Sequence, residues 1–258
     1  MMKVVVVGGT GLIRWQVVGI LRSSGRNAVS AAPITGVDTL TGQGMTQVLN
    51  GADVIVDVFN SPSFQARTSL DFFTRSTQNL IAAAQQAGVR HYVMLSIIGA
   101  DQLPENGYFR AKCAQEAILR DSELPYTIVR AAQFFEFIDP VMGLSTRQGR
   151  VHLPSTQLRP IAATDVAADV AAAVEEKPLY GVRQIAGPEI FRLNRLGEIT
   201  LTARADGRHV IVDESAGLFA GIPDGVLTGD VSVNIASTCY EDWLKQHWRK
   251  AVIHAGAL

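Results

Sequence analysis

The chain has 258 residues, 47% apolar and 18% charged, with 23 lysines and arginines against 24 acids for a net charge of −1. At about 150 residues per domain, that length fits one large domain, or one with a small appendage, and can bury a real core. The balanced charge excludes the basic footprint of a nucleic-acid binder and the polybasic character of a membrane-surface partner.

Cys113 and Cys239 stand far apart with no metal-ligand spacing, so neither a disulfide framework nor a metal site is expected, and a reducing cytoplasm is the economical location. The opening apolar run, Val4 to Val7, is too short for a signal-peptide core. No stretch reaches the roughly 18 apolar residues of a membrane span.

In chain order, Lys3-Val4-Val5-Val6-Val7 predicts a strand buried on both faces, being apolar after its first residue. Gly8-Gly9-Thr10-Gly11-Leu12-Ile13-Arg14 follows directly, and Trp15, Val17, Val18 and Leu21 continue as a helix. A glycine-rich turn between a buried strand and a helix N-terminus lets backbone N–H groups approach a pyrophosphate, whose charge the helix dipole favours. In the G-x-x-G-x-x-G spacing that begins at Gly8, a third glycine, which permits close helix–strand packing, is expected where Arg14 stands. An arginine there must point outward or push the helix away. Either its planar guanidinium meets a phosphate, or the substitution weakens cofactor binding.

A second strand at about 28–32 ends Ala31-Ala32-Pro33, without the acid that would bind a ribose 2′-hydroxyl. Nothing there repels a 2′-phosphate, and with Arg14 and Arg26 nearby the preference is for NADP(H), with NAD(H) as the other possibility. Asp38 is the first acid that could touch ribose or adenine. A third strand is predicted at 53–58, followed by a helix from Thr68 to Ala87 with Phe73, Thr77, Leu80, Ala84 and Ala87 on one face and Gly88 as its stop. A fourth strand at 91–96, a helix at 109–120 and a fifth strand at 126–130 complete an alternation of strands and helices. That is the sign of a doubly wound parallel α/β sheet, the Rossmann arrangement.

The fourth strand and its helix carry the candidate chemistry. Tyr108 and Lys112, four residues apart, share a helix face. A phenol is a poor base at neutral pH, and a cation beside it favours the phenolate, as proton transfer at a substrate alcohol or carbonyl requires. Ser96 ends the preceding strand at the carboxyl edge of the sheet, where its hydroxyl could hold the substrate oxygen.

Beyond residue 130 the pattern loosens around Gly143, Gly149, Pro154 and Pro160, with an alanine-rich helix at about 165–176 capped by Asp165. The expected organisation is a nucleotide-binding body over 1–160 and a small, interleaved C-terminal α+β substrate lobe over 161–258. The five histidines have no metal spacing and read as surface or structural residues. Phe134, Phe135 and Phe137 line a flat substrate or belong to the core, while Trp243 and Trp248 read as docking a last amphipathic helix.

Several segments together resemble the atypical short-chain dehydrogenase/reductases of the NmrA-like group. They are the turn Gly8 to Ile13, the segment Gly36-Val37-Asp38-Thr39-Leu40-Thr41-Gly42, the Tyr108/Lys112 helix and the run Tyr126 to Phe135. Pro160 to Ala167 and Ala186-Gly187-Pro188-Glu189 extend the similarity over most of the chain. The resemblance implies an NAD(P)-dependent oxidoreductase acting on a small carbonyl or quinone-like molecule. Gly8, Gly9, Thr10, Gly11, Leu12 and Ile13 would hold the pyrophosphate, with Arg14 beside them, Asp38 would lie near the adenine and Asn60 near the ribose. Lys112 would reach the nicotinamide ribose, Ser96 and Tyr108 would face the substrate, and Gln133 and Phe134 would help line its pocket. The group is divided, since some members reduce quinones or other carbonyl and alkene substrates while others bind the dinucleotide as redox sensors. A non-catalytic NAD(P)-binding regulator is therefore the alternative, and a structural subunit with a vestigial site a third.

Overall fold

Four consecutive valines can be sheltered only where both faces of a strand are covered, and Val4 to Val7, at 2% exposure or less, lie between two parallel neighbours. The computed structural model describes residues 1–8 and 11–255, those from 248 onward by their backbone alone. In chain order the elements are β1 (Lys3–Val7), α1 (Leu12–Ser23), β2 (Asn27–Ala31), α2 (Met45–Leu49), β3 (Val54–Asp57), α3 (Ala66–Gln86), β4 (His91–Ile97), α4 (Gly107–Arg120) and β5 (Tyr126–Ala131). There follow α5 (Ile138–Leu144), β6 (Thr146–Arg147), β7 (Arg150–Leu153), β8 (Gln157–Leu158), α6 (Ala163–Glu175), β9 (Gly181–Ala186), β10 (Phe191–Arg192), α7 (Leu193–Ala203), β11 (His209–Val212), β12 (Asn234–Ile235) and α8 (Tyr240–Ala255).

The chain divides into two units, residues 1–131 with 166–183, and residues 132–165 with 184 onward. In the first, β2-β1-β3-β4-β5 run side by side in parallel, with Val4 opposite Ala28 and Val54, Val54 opposite His91, and Tyr92 opposite Tyr126. β12 pairs in parallel with the end of β9, Asn234 opposite Ile185. On one face, Phe73, Leu80 and Ala84 of α3 and Ala111 and Leu119 of α4 join Val5, Val7, Ile55, Met94 and Ile128 in a single core. Val4 and Val6 point to the other face by strand alternation and are equally buried, so the sheet is covered on both sides. This is the doubly wound α/β fold expected.

The predicted strands and helices are present with ends displaced by two residues at most. β9 and β12 escaped prediction because Arg183 and Gln184 interrupt the apolar run of β9 and β12 is only two residues long. In the second unit, β6, β7 and β11 form a small sheet and β8 pairs with β10. Phe135 is buried there against Tyr240, at 4.9 Å between ring centroids, and Trp243 stacks on Tyr240, so Phe135 is core and Trp243 docks α8. The Trp248 side chain lies outside the described residues. Asp165 sits inside the first turn of α6 rather than ahead of it. The Ala163 amide at that helix start donates to Glu136 instead, at 3.1 Å. No helix among the described residues is long and apolar enough to cross a membrane.

Candidate active site

The strand order reverses between β1 and β3, so their carboxyl ends flank the crevice where open α/β sheets bind ligands. Gly8 leaves β1 there with its N–H on the Ala31 carbonyl, and a Cβ at Gly8 would lie 3.0 Å from Val58 Cγ2 just beyond β3. Gly11 precedes α1 at φ +86°, a conformation that favours glycine, and a Cβ on it would come within 2.9 Å of the Trp15 ring. Among the described residues no side chain caps α1 and its first turn holds no acid, so none of their side chains claims the amides that open the helix, at Leu12 and Ile13. A diphosphate fits this cradle of close-approaching backbone. Gly9 and Thr10 lie outside the described residues.

Arg14 does not point outward. Its side chain is 4% exposed and folds back over the turn, where Nη1 donates to the Gly8 carbonyl and the guanidinium lies 5.0 Å from the centre of the Trp15 ring. Glycine's absence at this position is thus accommodated by curling the arginine into the loop itself. Arg26 stands at the opposite end of β2 and forms a bidentate pair with Glu175, so it does not serve a 2′-phosphate. Asp38 Oδ1 accepts the Leu40 N–H at 2.8 Å and shapes the loop after β2.

Asn60, in the segment after β3, meets the α4 tyrosine: the Tyr108 hydroxyl donates to Asn60 Oδ1 at 2.8 Å. Asn106 caps α4 by accepting the Tyr108 and Phe109 amides, which fixes the phenol's first turn. Phe64, Phe73 and Phe109 surround the Tyr108 ring at 5.3 to 6.2 Å between centroids. Burial raises the phenol's pKa above its ordinary value, with the Asn60 contact opposing. Tyr108 is therefore a neutral phenol at physiological pH.

The expected pairing of phenol and ammonium does not form. Lys112 Nζ instead donates to the Leu95 carbonyl at 2.9 Å and to Gln115 Oε1 at 2.5 Å, 4.7 Å from the Phe73 ring centre. Ser96 is likewise engaged: 5% exposed, it donates its hydroxyl to Glu116 Oε1 at 2.5 Å, so its proton is not free for a substrate oxygen. Glu116 also binds Arg130 and Arg120, both at 2.7 Å, and Arg130 reaches Asp101. Burial pushes the Glu116 carboxyl up, but Arg130, Ser96 and Arg120 together hold it below the usual range.

Beneath Lys112 lies Asp57, fully buried at the end of β3, which accepts from the Tyr92 hydroxyl at 2.9 Å and from Gln115 Nε2 at 3.0 Å. Burial raises Asp57 to about 6 against the pull of Lys112, and burial lowers Lys112 to about 8 against the pull of Asp57 and Glu116. Sequence reasoning missed Asp57, Gln115, Glu116 and Arg130. Their signal was a charged or amide side chain inside a strand or on the buried face of a helix, as in Val54-Ile55-Val56-Asp57.

Asp57 yields a pH prediction. The folded protein keeps its proton to about pH 6, whereas the unfolded chain releases it near pH 4. Between those values the folded state binds the extra proton, so this residue's contribution to stability falls as pH rises and is level above about pH 6. Asp57→Asn is expected to remove that fall, measured by denaturant unfolding across the interval. An unaltered profile would show that Asp57 ionises as it does in the unfolded chain.

In the second unit, Gln133 is buried with both amide atoms unpartnered among the described residues, while its backbone carbonyl accepts the Ile161 N–H. Phe134 is half-buried, 6.0 Å from the Phe137 ring.

A family model described as NAD(P)H-binding matches residues 13–177. The photosystem II assembly factor Ycf39 of Synechocystis is 27% identical over 149 residues, 52% of this chain and 46% of that protein. The chloroplastic divinyl chlorophyllide a 8-vinyl-reductase of Arabidopsis thaliana is 30% identical over 150 residues, 54% of this chain and 36% of that protein. The chain thus spans about half the length, or less, of these curated relatives. Among solved structures, dTDP-4-dehydrorhamnose reductase of Bacillus anthracis in complex with NADP superposes with a TM-score of 0.75 at 15% identity, covering 97% of this chain and 99% of that one.

Proposed function

The chain belongs to the NAD(P)H-binding family, in its NmrA-like, atypical short-chain dehydrogenase/reductase branch, and on that premise we propose that it transfers hydride between NADP(H) and a small carbonyl or quinone-like substrate. The observation that carries this reading is the neutral, half-buried phenol of Tyr108, anchored on Asn60, which follows a strand that ends beside the glycine turn at the switch point.

The opening amides of α1, at Leu12 and Ile13, hold the diphosphate where Gly8 and Gly11 let the backbone approach it, Asp38 lies on the adenine side, and Asn60 and Lys112 face the ribose nearer the nicotinamide. The bound dinucleotide supplies the hydride. Tyr108 exchanges its bond to the neutral Asn60 amide, weaker than the one Ser96 makes to a carboxylate, for one to the substrate oxygen, and gives its proton there as charge develops, because an alkoxide is the stronger base. Asn60 keeps the phenol oriented. The Asp57–Gln115–Lys112 network holds Lys112 with its charge compensated. Ser96, its proton committed to Glu116, supports the end of β4 rather than the reacting oxygen. NADP(H) is preferred because Ala31-Ala32-Pro33 sets no carboxylate against a 2′-phosphate.

A specific observation favours a second reading, a dinucleotide-binding regulator without turnover: Ser96 and Lys112 both have their polar atoms engaged within the fold. Titration of the purified protein with NADPH and NADH tests the cofactor assignment. NADPH is expected to bind more tightly, and equal affinity or a preference for NADH would contradict it.

A further inference from the structure

Arg14 and Arg130 are the two arginines with almost no exposure among the described residues, at 4% and 5%. Arg130 is neutralised by Glu116 and Asp101. Arg14 has no acidic partner among the described residues. Its Nη1 donates to the Gly8 carbonyl, its guanidinium faces the Trp15 ring, and its Nε is buried with no partner among the described residues. A buried guanidinium is strongly disfavoured unless an anion compensates it, and a carbonyl dipole and an aromatic face offer only partial negative charge.

The place where this charge sits is the turn itself: a Cβ built on Gly11 would lie 3.8 Å from Arg14 Nη2. The opening amides of α1 add positive potential at the same point, with no acid in the first turn to offset it. Two independent features therefore ask for an anion at one location, the uncapped helix start and a buried cation with an idle donor.

We propose that Arg14 is the built-in counter-ion of a diphosphate bound at the start of α1, against Gly8, Gly11 and the amides of Leu12 and Ile13. In place of the close packing that a third glycine would allow, the chain offers a charge-assisted contact to a diphosphate, whether free or within a dinucleotide, and the Trp15 ring, 57% exposed, holds the guanidinium over the turn. The inference deepens the reading of this turn as the cofactor site and rests on it for the identity of the physiological ligand. Inorganic pyrophosphate is then a ligand in its own right and a competitor of NADPH, and binding of both weakens as salt rises.

The test uses the full chain and calorimetric titration with NADPH and, separately, with inorganic pyrophosphate, on the parent, Arg14→Met, Arg14→Gly and Arg14→Lys. Thermal melts first establish that each variant is folded; Arg14→Met keeps the aliphatic stem against Trp15, and Arg14→Gly restores the motif. Pyrophosphate is expected to bind the parent and displace NADPH. The Met and Gly variants are expected to lose about 10- to 100-fold in affinity for both ligands, and the Lys variant less. Arg14→Gly binding NADPH as tightly as the parent, or more tightly, would overturn the proposal by showing that the arginine obstructs the turn. Tight NADPH binding that ignores both pyrophosphate and the Arg14 substitutions would also overturn it while leaving the proposed function standing. Arg14-dependent pyrophosphate binding without any dinucleotide binding would do the reverse.

Discussion

Tyr108→Phe is expected to lower turnover by about 10²- to 10⁴-fold, the range for loss of a positioned general acid, while leaving dinucleotide affinity essentially unchanged. The substitution removes one oxygen from a ring held by Phe64, Phe73 and Phe109, and the aromatic packing survives it. What disappears is the hydroxyl on Asn60, the group held in its protonated form by burial. Stopped-flow measurement of nicotinamide oxidation separates the two effects, because binding precedes chemistry. Full turnover in the variant would remove Tyr108 from the reaction and leave proton delivery to solvent.

Glu116→Gln is expected to destabilise the fold by about 3 kcal/mol or more, since removing one member of a buried ion pair strands the other. Arg130 would keep Asp101, which is half exposed, but would lose the fully buried carboxylate that binds it through two nitrogens. Ser96 and Arg120 would lose the same partner. A double replacement, Glu116→Leu with Arg130→Met, is expected to restore much of the loss, because it removes both charges together. Denaturant unfolding of the three variants measures this. A loss under about 1 kcal/mol in Glu116→Gln would mean that water reaches the cluster and screens it.

The strands were legible because each makes a demand that a single residue type declares. Val4 to Val7 need cover on two faces, and Gly8 and Gly11 mark the turn after them by their lack of a side chain. Tyr108 and Lys112 were legible as a pair on one helix, but not their partners. Helical spacing says that two side chains share a face; it does not say that Asn60, 48 residues earlier, takes the phenol, or that Gln115 and Leu95 take the ammonium. Those choices depend on which strand ends lie under the helix. Arg14 shows the same limit, because a side chain long enough to fold back onto Gly8 has an option that sequence spacing does not contain. Asp57 was hidden for a different reason: one carboxylate in an apolar strand is invisible to periodicity, although a buried charge always requires partners.

The central claim, that this chain catalyses hydride transfer from NADPH with Tyr108 as proton donor, is tested most directly by following nicotinamide absorbance with the parent and Tyr108→Phe proteins side by side. Each would be given NADPH and a panel of quinones, aldehydes and ketones. The account predicts substrate-dependent NADPH consumption by the parent with at least one of these classes and its near loss in the variant. Tight NADPH binding with no consumption across the whole panel would contradict it and identify the protein as a dinucleotide-binding regulator.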